Sequence, residues 1–151
     1  MLKILKVTII FLFVSNCGYV PIYSDINNTK IKITIKNLKG ERNINNIIAQ
    51  KLSIYKNPNT DKNYIVNVFS KYEKISLTKN AAGDTTNFRL VIKVDFFVNF
   101  NENSQTISFE EKFDIKKGST IFEQQNYEKI VIRNMVNNIT KKFISQLLKI
   151  Q

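Results

Sequence analysis

Histidine and tryptophan are absent from this chain of 151 residues, which has a single cysteine, two prolines and four glycines. Without histidine, the usual general base, the commonest metal ligand and the central member of a Ser-His-Asp triad are all missing. One cysteine excludes an internal disulfide, a CxxC redox pair and a cysteine-rich zinc site. The glycines are isolated from one another, which excludes a glycine-rich phosphate loop. The length corresponds to one domain.

Acidic residues are also scarce, because 12 Asp and Glu stand against 23 Lys and Arg, for a formal net charge of +11. Such an excess is typical of nucleic-acid-binding proteins. Isoleucine, asparagine and lysine are all abundant, however, and all three have A/T-rich codons. We therefore interpret the charge mainly as a solvated Lys/Asn surface. With 43% hydrophobic residues, the composition is that of a folded domain rather than a disordered chain.

The N-terminal segment has the layout of an export signal. Lys3 and Lys6 precede an apolar run from Val7 to Val14, and this combination is typical of a secretory signal peptide. The run is shorter than the ~20 apolar residues of a transmembrane helix. The sequence Val-Ser-Asn-Cys-Gly at positions 14–18 then resembles the lipobox of bacterial lipoproteins, in which the chain is cut before a cysteine that carries the lipid.

This pattern predicts a signal peptide over residues 1–16, lipidation of Cys17, a lipidated tether over residues 17–29 and a domain over residues 30–151. Several acyl chains, at ~0.8 kcal/mol per buried CH₂, would hold the protein on a membrane. The residue after the cysteine is Gly18 rather than the aspartate that retains lipoproteins in the inner membrane, so we expect the cell outer membrane, on its periplasmic side. An uncleaved N-terminal anchor with an incidental cysteine is the alternative.

The hydrophobic pattern of the remaining chain switches between the period of a strand and that of a helix. The sequence predicts strands over 31–36, 64–77, 88–100 and 107–115, helices over 42–55 and 124–150, and turns at 80–84 and 101–104. This β-α-β-β-β-α order predicts an α+β fold. We expect a two-layer sandwich in which a four-stranded, mostly antiparallel sheet carries two helices on one face.

The other face of this sheet is predicted to carry apolar side chains. Ile65, Phe69, Val91 and Phe97 fall out of phase with the core positions of their strands. Scattered surface apolar residues are ordinary, whereas a cluster on one sheet face indicates a docking surface. Both interpretations are open from the sequence.

No catalytic constellation is found. Glu110 and Glu111 are neighbours on a strand and point to opposite faces, Asp84 is at a turn position that favours aspartate, and Thr85 and Thr86 have no base nearby in the sequence. We therefore predict a protein that is not an enzyme and that needs no cofactor or metal.

Four basic residues are predicted to surround the turn at 80–84. Lys71, Lys74 and Lys79 follow the second strand, and Arg89 is early in the third. Such cations could bind phosphate groups. For an exported lipoprotein, a phosphorylated glycolipid of the outer leaflet fits this chemistry better than nucleic acid. Solvated strand-edge lysines that block unwanted pairing are the alternative for each residue.

Three segments together resemble a known family. They are the start Cys-Gly-Tyr-Val-Pro-Ile-Tyr at 17–23, the segment Asp-Thr-Thr-Asn-Phe-Arg-Leu at 84–90, and a long C-terminal helix preceded by the aromatic segment 121–127. In this order, and with the β-α-β-β-β-α layout, the mature chain is similar to the lipopolysaccharide-assembly lipoprotein E family, LptE, in its alphaproteobacterial form.

The resemblance implies a lipoprotein that plugs the lumen of the outer-membrane β-barrel LptD, assists folding of that barrel and binds lipopolysaccharide. It also implies that Lys79 matches a basic residue near the tip of the hairpin. Asn87 stands where many relatives carry arginine, and Glu123 and Gln124 stand at the helix start in place of a lysine. The alternatives are a periplasmic auxiliary lipoprotein of a lipid or solute transporter and an anchored nucleic-acid-binding domain.

Overall fold

The computed structural model describes residues 31–56, 60 and 62–149. Its elements are β1 (Lys32–Gly40), α1 (Arg42–Leu52), β2 (Asn63–Lys79), β3 (Thr85–Phe100), β4 (Asn103–Lys116) and α2 (Ile121–Leu147). The predicted α+β sandwich and its element order are confirmed. The predicted signal peptide (1–16) and tether (17–29), with Cys17, lie outside the described residues.

The four strands form one sheet in the order β1-β2-β3-β4. β1 and β2 are parallel, because α1 carries the chain back between them, whereas β2-β3 and β3-β4 are antiparallel hairpins. The predicted meander of the last three strands is therefore confirmed. β1 is irregular between Ile35 and Asn37, where the register shifts by one residue.

The hydrophobic core lies between the sheet and the two helices. At its centre the ring of Phe96 on β3 stacks on that of Phe143 on α2, with centroids 4.0 Å apart, and meets the edge of Phe109 on β4 at 6.1 Å. Alternate residues of β3 make the largest contribution of any strand to the sheet side of the core. They are Leu90, Ile92, Val94, Phe96 and Val98.

The junction of β1 and α1 is fixed by a close backbone approach. Gly40 has φ +95°, and a Cβ on it would lie 1.8 Å from the carbonyl oxygen of Ser70 on β2. The buried Ser70 hydroxyl donates to Asn45 Oδ1 at 2.8 Å, and Asn45 Nδ2 donates to the carbonyl of Lys39 at 3.1 Å. These bonds satisfy the polar side chain that α1 buries in the core.

α2 begins three residues earlier than the apolar pattern predicts. The Thr120 hydroxyl accepts a hydrogen bond from the Glu123 backbone N–H at 3.2 Å, and the Glu123 carboxylate accepts from the Thr120 N–H at 3.3 Å. This capping box satisfies two backbone donors that the helix leaves free. The helix therefore starts at Ile121 instead of Gln124.

Other predicted boundaries are also wrong. The strands are longer than predicted, because β1 continues to Gly40, β3 begins at Thr85 and β4 begins at Asn103. α1 ends at Leu52 rather than Tyr55, because the carbonyl of Tyr55 accepts a hydrogen bond from Ile33 N–H at 2.8 Å and so leaves the helix to join β1. The turn predicted at 101–104 contains only two residues between β3 and β4. Asn101 takes φ +45° there, a conformation that asparagine tolerates better than most residues.

Candidate functional site

The hairpin of β2 and β3 extends well beyond β1, while β4 follows β3 as far as Asn87. β1 pairs with β2 only as far as Ser70, whereas β2 continues to Lys79. The distal end of β2, from Ile75 onwards, is exposed on both faces. This end of the molecule presents side chains that no other layer covers.

The turn at the end of the hairpin is held by one asparagine. Asn80 Oδ1 accepts hydrogen bonds from the backbone N–H groups of Ala82 at 3.0 Å and Asp84 at 2.8 Å. Gly83 supplies the φ of +87° that the turn needs.

A ladder of hydroxyl groups joins the two strands below the turn. Ser76 and Thr85 share a hydrogen bond of 2.8 Å, Thr78 and Thr86 share one of 2.7 Å, and Asn87 Nδ2 donates to the Thr78 hydroxyl at 2.6 Å. These bonds span the point where the strand register shifts. The ladder holds the hairpin end in a defined geometry despite that irregularity.

Three lysines lie at this end without an acidic partner. Lys79 is the last residue of β2, Lys116 is the last residue of β4, and Lys117 comes directly after it. The Lys117 N–H donates to the Thr86 carbonyl at 2.8 Å, which places this lysine beside the start of β3. Within residues 31–56, 60 and 62–149, none of the three makes an ion pair. A shallow concavity of about 430 Å³ lies beside the turn and is lined by Asn80, Asp84, Thr85, Thr86, Asn87, Lys116, Lys117 and Gly118.

The contribution of β4 was missed at the sequence level, although a signal for it exists. Asn87 pairs with Lys116 in the β3-β4 register. The turn between β3 and β4 joins Phe100 to Asn103. Equal numbers of residues counted away from the turn, along β3 and along β4, lead to Asn87 and Lys116.

The other three predicted cations do not form a collar with Lys79. Lys71 lies on the open sheet face and pairs with Glu73 at 2.5 Å. Arg89 lies on the same face and holds both carboxylate oxygens of Asp114, at 2.7 and 2.8 Å. This bidentate pair lowers the pKa of the Asp114 carboxyl. Both cations are therefore committed to neighbours in the sheet.

Lys74 lies on the opposite face, beneath α2. Its ammonium pairs with Glu128 of α2 and lies 4.2 Å from the ring centroid of Phe88. Strand alternation explains why Lys71 and Lys74 are separated, because odd and even positions of β2 point to opposite faces.

Large apolar side chains accompany the free lysines. Ile121 and Phe122, in the first turn of α2, are 79% and 72% exposed, and Ile75 and Leu77 of β2 are also exposed. Apolar groups beside unpaired cations are suited to an amphiphile that combines phosphate with hydrocarbon.

The open sheet face carries three of the four predicted apolar residues in exposed positions, namely Ile65, Phe69 and Phe97. Val91 also lies on this face, as predicted, but it is covered there and only 4% exposed. Its register neighbours are Glu73 and Lys112, and the aliphatic parts of such long side chains cover apolar surface.

The exposed part of this face contains a shallow groove of about 460 Å³. Phe69 and Phe97 provide its apolar surface, and Asn37 donates to Asn67 at its edge through a 3.0 Å bond. The neighbouring part of the face is ionic: Glu110 binds both Lys93 at 3.0 Å and Lys112 at 2.6 Å. The open face thus has an apolar, asparagine-edged half and an ion-paired half.

The described ranges contain no group of three or more acidic, cysteine or histidine side chains that could hold a metal ion. No helix within these ranges has the length and apolarity needed to cross a membrane.

The fold is shared with solved structures of bacterial lipoproteins. Rare lipoprotein B of Shewanella oneidensis superposes with a TM-score of 0.60 at 11% identity, over 76% of this chain and 93% of that one. The chain has the fold of this lipoprotein. A minor lipoprotein of Acinetobacter baumannii gives 0.52 at 15% identity, over 76% and 93% of the two chains.

Lipoprotein B of Nitrosomonas europaea gives a TM-score of 0.50 at 14% identity, over 77% of this chain and 84% of that one. No protein-family model and no curated protein matches the sequence. At these identities, the likeness establishes the fold.

Proposed function

We propose that this protein is a non-enzymatic outer-membrane lipoprotein, lipidated at Cys17, that plugs an LptD-like β-barrel and assists delivery of lipopolysaccharide to the outer leaflet. The proposal rests mainly on the fold, which the chain shares with rare lipoprotein B. The only cysteine of the chain also lies in a lipobox-like sequence. The resemblance of its start and hairpin to the LptE family supports the same function.

The free end of the hairpin supports direct contact with lipopolysaccharide. Lys79, Lys116 and Lys117 supply cations for phosphate groups, and Ile121 and Phe122 supply exposed apolar surface beside them. Lys71, Lys74 and Arg89 already have carboxylate partners. We therefore assign the main contact to Lys79 and to Lys116 and Lys117 at the end of β4.

The open sheet face supports contact with the barrel. Its exposed aromatic residues, Phe69 and Phe97, lie in a band bordered by amide side chains. The inner wall of a barrel is polar and accepts such a mixed surface. The helical layer would then face away from the wall contacted by the sheet.

Co-purification tests the partner. The full chain, tagged at its C-terminus and solubilised with its native membrane, should bring down a large β-barrel, and a photo-crosslinker at Phe97 should attach to that barrel. A crosslinker at Lys36 on β1 serves as a surface control. Recovery of an inner-membrane ATPase complex instead of a barrel would favour the auxiliary lipoprotein of a transporter and contradict the plug.

Removal of the lipid tests the anchor separately. We expect Cys17→Ala to abolish incorporation of a labelled fatty acid into the protein. Continued incorporation by the variant would place the lipid elsewhere, and absence of label from the unaltered chain would contradict lipidation.

A further inference from the structure

A second cationic region lies between the two helices, on the side of the molecule opposite the open sheet face. A groove of about 460 Å³ is lined by Asn43, Ile47, Gln50 and Lys51 of α1 and by Lys129, Arg133 and Asn137 of α2. It shares no residue with the hairpin site.

The cations of this groove are not neutralised by the protein. α1 contains no acidic residue, and the last acidic residue of α2 is Glu128, which Lys74 and Gln124 engage. Lys51, Lys129 and Arg133 have no ion-pair partner in the part of the chain that the structure describes.

The placement of these charges favours an external anion. Lys129 and Arg133 are four residues apart on α2 and repel each other on the same helix face. Lys51 brings a third positive charge to the same groove from α1. An anion bound among the three would relieve the repulsion and form charge-assisted hydrogen bonds.

A polar group in the groove adds a second requirement. Asn137 Oδ1 is buried and has no hydrogen-bond partner among the described residues. Buried polar atoms are normally partnered, so this acceptor calls for a donor. Asn137 lines the groove, so a ligand hydroxyl becomes such a donor once the Asn137 amide turns its oxygen out of this buried position. Asn43 and Gln50 provide further amides on the same groove.

We infer that the groove between α1 and α2 binds a phosphate ester of a polyol, with the phosphate on Lys51, Lys129 and Arg133 and a hydroxyl donated to Asn137. The headgroup of an anionic glycerophospholipid has this chemistry, and so does a soluble glycerol phosphate.

The position of the groove favours the lipid headgroup, a choice that rests on the proposed anchor at Cys17. Lys51 is near the C-terminal end of α1, and the chain that follows pairs with the start of β1 through Tyr55 and Ile33. The chain from Cys17 to the start of β1 spans at most about 50 Å when extended. The anchor would therefore keep this end of the molecule near the membrane.

Calorimetric titration of the full chain in a neutral detergent tests the inference. The ligands are inorganic phosphate, glycerol 1-phosphate, a short-chain phosphatidylglycerol and the corresponding phosphatidylcholine. We expect glycerol 1-phosphate and phosphatidylglycerol to bind more tightly than inorganic phosphate, and phosphatidylcholine not to bind. Binding of glycerol 1-phosphate without phosphatidylglycerol would overturn the lipid assignment.

Variants locate the site. Lys129→Gln combined with Arg133→Gln should weaken phosphatidylglycerol binding by about tenfold or more, since two charge-assisted contacts are lost. The control Lys36→Gln, on β1, should leave it unchanged. An equal loss in the control would show diffuse surface attraction and overturn a specific groove, as would an absence of binding to the unaltered chain.

Asn137→Ala tests the hydroxyl contact. It should abolish the preference for glycerol 1-phosphate over inorganic phosphate while phosphate itself still binds, and a preserved preference would overturn the role of Asn137. Barrel co-purification should persist in the Lys129→Gln, Arg133→Gln variant. The two experiments therefore test headgroup binding in the groove and barrel binding separately.

Discussion

At the scale of single residues, Gly40 and Gly83 have similar positive φ values but different surroundings. At Gly40 a Cβ would lie 1.8 Å from the Ser70 carbonyl oxygen, whereas at Gly83 no atom lies within 4 Å of it. We predict that Gly40→Ala lowers the free energy of unfolding by more than about 2 kcal/mol, because strain and a backbone clash add. Gly83→Ala should cost only about 1 kcal/mol.

Urea unfolding of the two variants measures the difference. Gly83→Ala is the matched control, since it carries the same unfavourable φ without the clash. Equal destabilisation of the two would contradict the close approach of β1 and β2 at Ser70.

Among the four basic residues predicted to contact lipopolysaccharide, Lys79 is the one without an ion-pair partner in the described part of the chain. We expect Lys79→Asp to weaken lipopolysaccharide binding by roughly tenfold at low ionic strength, and by less at high salt because screening shortens the range of the interaction. Lys71→Asp should have a smaller effect, because Lys71 already pairs with Glu73.

Binding of labelled lipopolysaccharide to the purified chain at two salt concentrations measures these effects. A wild-type affinity in Lys79→Asp at low salt would remove Lys79 from the site. A larger loss in Lys71→Asp would move the contact to the open sheet face.

At the scale of elements, the start of α2 depends on its capping box. We predict that Thr120→Ala lowers the free energy of unfolding by about 1 kcal/mol, because the hydroxyl that accepts from the Glu123 N–H is lost. Thr120→Ser retains the hydroxyl and is the control. Chemical denaturation of both variants gives the comparison, and an equal loss in the two would attribute the effect to the threonine methyl group.

The same element shows what sequence patterns can and cannot establish. Apolar spacing alone predicts a helix from Gln124, and Thr120 and Glu123 carry the local signal that places its start earlier. The strands were predictable because apolar and polar residues alternate along them, and in β3 burial follows that alternation from Ile92 onwards. Boundaries such as Tyr55 depend on a long-range hydrogen bond to Ile33 that no local pattern contains.

At the scale of the whole molecule, the candidate site was only partly predictable. The basic residues are visible in the sequence, but which of them are free depends on register. Arg89 meets Asp114 because β3 and β4 pair in one particular alignment. Lys74 meets Glu128 only because α2 packs over β3 and β4, within reach of the lysine side chain. The helix groove depends on packing between α1 and α2, whose relative placement is not encoded in either helix alone.

The absence of histidine predicts an unusual pH profile. The described residues include no histidine, the side chain whose ordinary pKa lies near neutrality, so we expect the free energy of unfolding to be nearly constant between about pH 5 and pH 9. Below that range, four carboxyls have pKa values lowered by their partners: Glu73, Glu110, Asp114 and Glu123. Their contribution is present above their ordinary pKa values and is lost as the pH falls through the lowered ones.

Urea unfolding across this pH range measures the profile. A change in stability between pH 6 and pH 8 comparable to the acid loss would contradict it. Arg89→Gln should reduce the acid sensitivity, because the Asp114 pKa then returns towards its ordinary value.

The alkaline limit depends on Tyr72. Burial, with smaller effects from Glu128 and Glu41, raises its pKa to about 12, and its hydroxyl has no hydrogen-bond partner among the described residues. The folded state therefore favours the neutral phenol, and this contribution to stability is full below about pH 10 and is lost as the pH rises towards 12. Tyr72→Phe removes the ionisable group. We expect equal or greater stability than the unaltered chain at pH 7 and a smaller fall between pH 9 and 11. An unchanged alkaline fall would contradict the role of Tyr72 and point to Tyr55, whose pKa burial also raises.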